Sequence, residues 1–224
     1  MMDKKSSCES LLARITQVFE LAQANGWDVF GEPVVEAPAS VEDVVSVEEE
    51  LKIILPEDYK FLFTECSRHV EFRYQFDKEV PYEFRGLFSG EIGWNLDNFI
   101  DQYLDYKGWV EAWLGSGFEE GEELERERSI VENKVPLMHV PNGDLIVAGY
   151  SPSEVVYFSH EYDDFHGKRL GNSLFEFLDY YTRVAFTGNE DWQFEPFLRF
   201  DGEKVFYDEA QIRRWQEILG VARA

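Results

Sequence analysis

The stretch Ser46–Leu62, SVEEELKIILPEDYKFL, carries two helical periods separated by a proline. In the first half Val47 and Leu51 continue an apolar face that begins at Val44. Ser40 stands where a helix cap is needed, and Glu42, Asp43, Glu48, Glu49 and Glu50 load the outer face and first turns with negative charge. Acids near a helix N-terminus suit the positive end of the helix dipole. Leu55-Pro56 ends this helix and opens another, because a first-turn proline lacks only an N–H that would have had no partner. Tyr59, Leu62, Phe63 and Cys66 then face inward.

Working outward, Leu11, Leu12, Ile15, Val18, Phe19 and Ala22 predict an amphipathic helix from Ser10 that stops at Asn25-Gly26. The connector that follows holds Gly31, Pro33 and Pro38 and pairs briefly as a strand near Val34 and Val35. Val70, Phe72, Tyr74 and Phe76 alternate with polar residues as in a half-buried strand, and Val80, Tyr82 and Phe84 repeat the alternation, which predicts a hairpin. Leu96, Phe99, Ile100 and Tyr103 mark a helix after Trp94. The segment around Trp109, Trp113 and Leu114 is apolar without a clear period. Residues 119–128 read as a solvated loop or exposed helix start. Residues 135–140 and 145–148 flank Asn142-Gly143, a hairpin signal in which both turn residues tolerate positive φ. Residues 154–159 form a further strand. Ser173 and Glu176 make a capping box for a helix reaching about Phe186. A hairpin at Asp201-Gly202 and a helix through Ile212, Trp215 and Ile218 close the chain. The fold class is α+β, with helices packed around a twisted antiparallel sheet.

Composition narrows the function. The 224 residues include 45 acidic and 21 basic side chains, a formal charge of −24. Phosphate backbones require clustered Lys and Arg, and no basic patch appears, so nucleic acid is excluded as a partner. Hydrophobic residues make up 44% of the chain, enough for one sizeable core and too many for an acidic disordered polymer. No apolar run approaches the roughly 20 residues of a membrane-spanning helix. The first residues lack the apolar run of a secretory signal, so the expected location is cytoplasmic. Cys8 and Cys66 sit in separate elements with no CxxC spacing and are read as ordinary thiols.

Catalytic signatures are weak. The four histidines are His69, His139, His160 and His166. The segment from His160 to His166 invites a metal reading, but it lacks the HExxH spacing that puts two imidazoles on one helix face. No GxSxG elbow occurs, and Gly90, Gly93, Gly115 and Gly117 lack the Lys and Ser/Thr of a phosphate loop. The expectation is no metal, no cofactor and no catalytic residue. A metal-dependent hydrolase would need His139, His160 or His166 to converge with carboxylates.

The Ser46–Leu62 run, followed by Val135-Pro136-Leu137, Asn142-Gly143-Asp144, Val155 to Glu161 and Ser173 to Leu178, resembles the SUKH superfamily of the Smi/Knr type. Its pattern is an acidic helix ending in LPxDY, hairpins with a Gly-Asp step, a strand ending near His-Glu, and a helix of the form SFxxFL. The resemblance covers roughly residues 40 to 186. It departs from the family where many members have an Asn-Gly turn after LPxDY and this chain has Ser67-Arg68-His69. The resemblance implies a domain at 40–186, an N-terminal helix and connector at 1–39, and a C-terminal extension at 187–224 packing on the same domain. It implies a non-enzymatic protein-binding module: an immunity protein neutralising a bacterial polymorphic toxin, or else a regulatory or scaffolding protein of the cell-wall-regulator type. LPxDY itself is read as core and helix start. The expected partner is a basic toxin domain. The expected contacts are Glu119, Glu120, Glu122, Glu123, Glu125, Glu127 and Asp144, with the glutamates exposed in the free protein.

Overall fold

A computed structural model describes residues 3–151, 153–161, 164–202 and 204–221. The first helix, α1 (Lys4–Asn25), starts a turn and a half before the apolar period does. It buries Leu11, Ile15, Val18 and Ala22, and Gly26 ends it at a φ of 66°. Two short strands, β1 (Asp28–Val29) and β2 (Val34–Val35), lead to α2 (Val41–Leu51). Ser40 and Asp43 exchange side-chain-to-backbone hydrogen bonds at its start, satisfying two N–H groups that the helix itself cannot. Then α3 (Glu57–Phe61) runs without a break into a π-helical turn at Leu62–Cys66.

Strand β3 (His69–Gln75) buries Val70, Phe72 and Tyr74, as its alternation predicts, and pairs antiparallel with β1 and β2. The expected hairpin partner at residues 80–84 is absent. Pro81 opens a 3-10 turn at Tyr82–Phe84, Tyr82 points to solvent, and the strand that pairs with β3 is β4 (Ser89–Asn95). Proline supplies no ladder N–H, so a period-2 pattern containing it need not be a strand. At the departure from the family pattern, the buried Ser67 hydroxyl donates to Glu36 O at 2.7 Å. Arg68 pairs there with Asp97, Asp43 and Glu36.

Helix α4 (Phe99–Leu114) is continuous through the segment whose period was unclear, and α5 (Glu122–Val131) follows. The second sheet contains β5 (Lys134–His139), β6 (Leu145–Gly149), β7 (Val155–Phe158) and β8 (Arg169–Gly171), antiparallel in that order. The chain ends with α6 (Leu174–Arg183), α7 (Asp191–Phe194), the hairpin β9 (Leu198–Asp201) and β10 (Lys204–Tyr207), and α8 (Glu209–Leu219). The class is α+β, and the antiparallel strands are divided between two four-stranded sheets and the late hairpin.

The division of the core follows from the pleat. Ile146, Ala148, Val155 and Tyr157 point into the main core, which also holds Leu55, Tyr59, Phe63, Leu174, Phe177 and Leu178. Leu145, Val147, Val156 and Phe158 point the other way and pack under Tyr106, Val110 and Trp113 of α4 and Val131 of α5. Both faces of β6 and β7 are therefore covered, which explains their unbroken apolar runs. Tyr59, in the LPxDY run, donates its hydroxyl to the Pro136 carbonyl at 3.1 Å, where β5 slips register against β6. The C-terminal segment shares the main core: Trp215 is buried and its indole N–H donates to Thr187 Oγ1 at 3.0 Å, and Thr187 bridges to Gly90 of β4.

Cys8 and Cys66 prove to be neighbours. Both are buried and free, and each perturbs the other's pKa across the seam between α1 and the π-helical turn, the Cys66 thiol being pushed up and the Cys8 thiol down.

Because Leu178 is buried among the helices and sheet of the main core, Leu178→Ala is expected to cost about 2–5 kcal/mol of unfolding free energy. Equilibrium urea denaturation of the two proteins measures it.

Candidate functional site

The turn between β5 and β6 places Pro141 at its first corner and Gly143 in the left-handed region at a φ of 101°, while Asn142 keeps a negative φ. This is a hairpin with one left-handed residue, rather than the two that the Asn-Gly pair permits. Asp144 follows, next to the end of β7 because Leu145 pairs with Phe158. Its carboxylate is buried, at 1% exposure, and accepts hydrogen bonds from Tyr157 Oη, from the His160 backbone N–H at 2.7 Å and from Asn142 Nδ2 at 2.7 Å. The His160 ring lies 2.6 Å away through Nδ1. Burial pushes the Asp144 carboxyl up, but the donors from Tyr157, His160 and Asn142 outweigh it and hold its pKa below the usual value. Asp144 is among the expected partner contacts. Its carboxylate is internal, and the group that reaches solvent at this corner is the imidazole of His160, 44% exposed.

The acidic segment divides in two. Glu119, Glu120, Glu122, Glu123 and Glu125 are exposed around the start of α5, whose first turn they complement electrostatically. The Glu119 N–H donates to Glu123 Oε2 at 3.1 Å, and Glu125 lies 3.7 Å from Arg128. Glu127 contradicts the expected exposure, being only 2% accessible. It accepts the Trp113 indole N–H at 3.2 Å and sits 3.5 Å from His166 Nε2. The pattern Leu124, Glu127, Val131 is a helical inner face, so the sequence did hold the signal that Glu127 turns inward.

Between α4 and the start of α5 lies a cavity of about 510 Å³ lined by Trp109, Trp113, Phe118, Glu123 and His160, among others. Trp109 and Trp113 are one helical turn apart and stack with ring centres at 5.3 Å. Phe118 meets Trp113 at 5.6 Å, tilted by 54°. His166 backs this wall, 4.4 Å from Trp113. His139 lines a different cleft, with His69, Arg73 and Glu91, while His160 and His166 each lie beside one buried carboxylate, Asp144 and Glu127. Among the described residues no group of three or more His, Cys, Asp or Glu is placed to hold a metal ion.

The model of the SMI1 / KNR4 family (SUKH-1) matches residues 38–180. The chain belongs to this family. No curated protein matches the sequence. The SMI1 / KNR4 match runs from just before α2 into α6 and includes the acidic segment, Asp144 and the aromatic cavity. It leaves α1 and the α7-to-α8 segment outside. LPxDY and SFxxFL fill the core, whereas the cavity draws its tryptophans from α4, which carries no motif, and only His160 from the family pattern. The Trp109–Trp113 spacing of four was its one visible trace. The contact of Asp144 with His160, sixteen positions apart, depends on β6–β7 register and had no local signal.

Replacing Asp144 by Ala would leave the Tyr157 hydroxyl and the His160 N–H without their acceptor, at a cost of about 1–3 kcal/mol per orphaned group. A depressed native pKa also fixes the sign of the pH effect. The carboxylate's contribution is full above the unfolded value of about 3.9 and is lost as pH falls through the native one. The stability gap between wild type and Asp144→Asn should therefore be widest near neutrality and shrink on acidification, as measured by denaturant unfolding across pH.

Proposed function

We propose that this chain is a non-enzymatic immunity protein that binds one basic toxin domain in the cytoplasm and blocks its action stoichiometrically. The observation that carries the reading is the set of five exposed glutamates, Glu119, Glu120, Glu122, Glu123 and Glu125, grouped at one end of α5 in a chain of net charge −24. Membership of the SMI1 / KNR4 family supports a protein partner. Toxins that cut nucleic acid need a positive cleft for phosphate, and a surface of this sign competes for that cleft. The group is mounted on a helix whose rotation is set by the buried Glu127, so its charges are held outward in the free protein. Among the described residues no helix is long and apolar enough to cross a membrane.

Co-expression with the toxin gene next to its own is expected to restore growth, and the purified pair to form a one-to-one complex. Failure of both with a correctly paired toxin would overturn the reading in favour of a regulatory or scaffolding role. Association should be steered by charge: raising salt, or changing Glu119, Glu120, Glu122 and Glu125 together to Gln, is expected to slow association about tenfold with little effect on dissociation. Stopped-flow mixing with the partner measures both rates. Rates that ignore salt and substitution alike place the interface elsewhere.

A further inference from the structure

We infer that the cleft between α5, the start of β8 and the β9–β10 hairpin binds a phosphoryl group carried by a small molecule. The inference stands apart from the toxin reading, which concerns surface charge of the opposite sign.

The cleft has a volume of about 680 Å³. Four basic side chains line it, Arg126, Lys134, Lys168 and Arg169, against three acidic ones, Glu127, Glu154 and Asp164. The chain as a whole has 21 basic residues against 45 acidic, so the balance of charge is reversed here. Two of the three acids are already engaged. Glu154 accepts from Lys134 Nζ at 2.9 Å, and Glu127 accepts the Trp113 indole N–H.

Arg126, Lys168 and Arg169 are the cations left over. Among the described residues nine lysines and arginines are held in ion pairs with carboxylates, Lys134 included. These three have no such pair, in a chain where acids outnumber bases about two to one. Their convergence is set by the fold. Arg169 lies opposite Val156 in the pairing of β7 with β8 and therefore shares the outer face of the second sheet, the face that α5 covers. Arg126 stands on α5 with Ser129 three residues on, so both occupy one side of the helix. Lys168 has its ammonium 5.4 Å from the centre of the Phe200 ring on β9, which holds the long side chain at the cleft, and its N–H groups have no acceptor among the described residues. The three come from separate elements or from a single Lys-Arg step, which is why no basic run marks them in the sequence.

Like charges gathered in a cleft repel one another, and the low-dielectric walls focus their field on an incoming anion. A phosphoryl group matches the set. Its terminal oxygens diverge from one phosphorus and accept in several directions, and each guanidinium can offer a planar fork to two of them. A single carboxylate is flat, carries one charge and satisfies one fork. A nucleic-acid backbone requires an extended track of cations, whereas these are confined to one cleft of a chain with a net charge of −24. The volume leaves room for a sugar-sized group beside the phosphate. Phe200 and Gly202, on the hairpin side, lie outside the SMI1 / KNR4 match, so one wall is supplied by the C-terminal segment.

The test uses the full chain and four probes at constant ionic strength and about pH 7.5: inorganic phosphate, glycerol 3-phosphate, malonate and acetate. Binding is followed through backbone amide resonances. Both phosphates are expected to shift the Ser129, Lys168 and Arg169 amides saturably. Tighter binding of the ester identifies an esterified ligand, and equal or tighter binding of inorganic phosphate identifies the free ion. Malonate, which matches the charge without the tetrahedral oxygens, should bind at least about tenfold more weakly, and acetate should give no saturable shift. Arg126→Gln and Arg169→Gln remove cations that hold no ion pair in the fold, and each should weaken both phosphates about fivefold with the amide dispersion kept. Lys107→Gln, which removes an exposed cation on α4, should change nothing. Absence of saturable shifts at the cleft, malonate binding as tightly as phosphate, or an equal loss in Arg169→Gln and Lys107→Gln overturns the proposal. No probe is a protein, so such a failure leaves the toxin reading where it stood.

Discussion

A carboxylate taken out of water has to be surrounded by donors, and the buried Asp144 meets that demand with groups from two parts of the chain. Asn142 comes from its own turn, while Tyr157 and His160 come from the end of β7. Tyr157 in turn accepts the Asp191 N–H at 3.0 Å, which ties α7 to the same centre. Burial and the adjacent carboxylate push the Tyr157 hydroxyl far above its ordinary pKa, so it remains a donor. Slipping β6 against β7 by one residue would break this set and exchange the two apolar faces of the sheet together. The same acceptor thus fixes the hairpin register, the docking of α7 and the presentation of His160 at the mouth of the aromatic cavity.

The second buried carboxylate performs the corresponding task on the outer layer. Glu127 lies against Trp113 and His166 above the face formed by Val147, Val156 and Phe158. Turning α5 to expose it would withdraw Val131 from the core and leave the Trp113 N–H unpaired, so the helix has one rotation that satisfies all three. In that rotation Glu122 and Glu125 project to water and Glu123 faces the cavity. A single buried charge therefore decides where the exposed charges point.

Local chemistry made most elements legible. Val70 to Phe76 showed its strand through alternation, Ser40 and Ser173 marked helix starts with side chains that do cap, and the apolar faces of α1, α6 and α8 lie inside as their spacing predicts. The Val80-to-Phe84 alternation misled because Pro81 forbids a ladder bond there, and a period of two can arise in a turn. The α4 period was obscured because the helix buries Tyr106, Val110 and Trp113 against one sheet and Phe99 against the main core, which widens its apolar arc. The site was the least legible part. Its exposed glutamates were visible as composition, whereas Asp144–His160 and Trp113–Glu127–His166 are contacts made by strand register and helix packing.

In the proposed interface the exposed glutamates act through a field that reaches about 10 Å in 0.1 M salt, which raises the frequency of oriented encounters and leaves the bound state little changed. The rigidity that this arrangement needs comes from the core beneath it: the carboxylates stand around the start of α5, and α4 and α5 lie on a sheet whose register Asp144 holds. Preorganised groups lose less entropy on binding, so under the proposed function the buried carboxylates would act through the scaffold they hold.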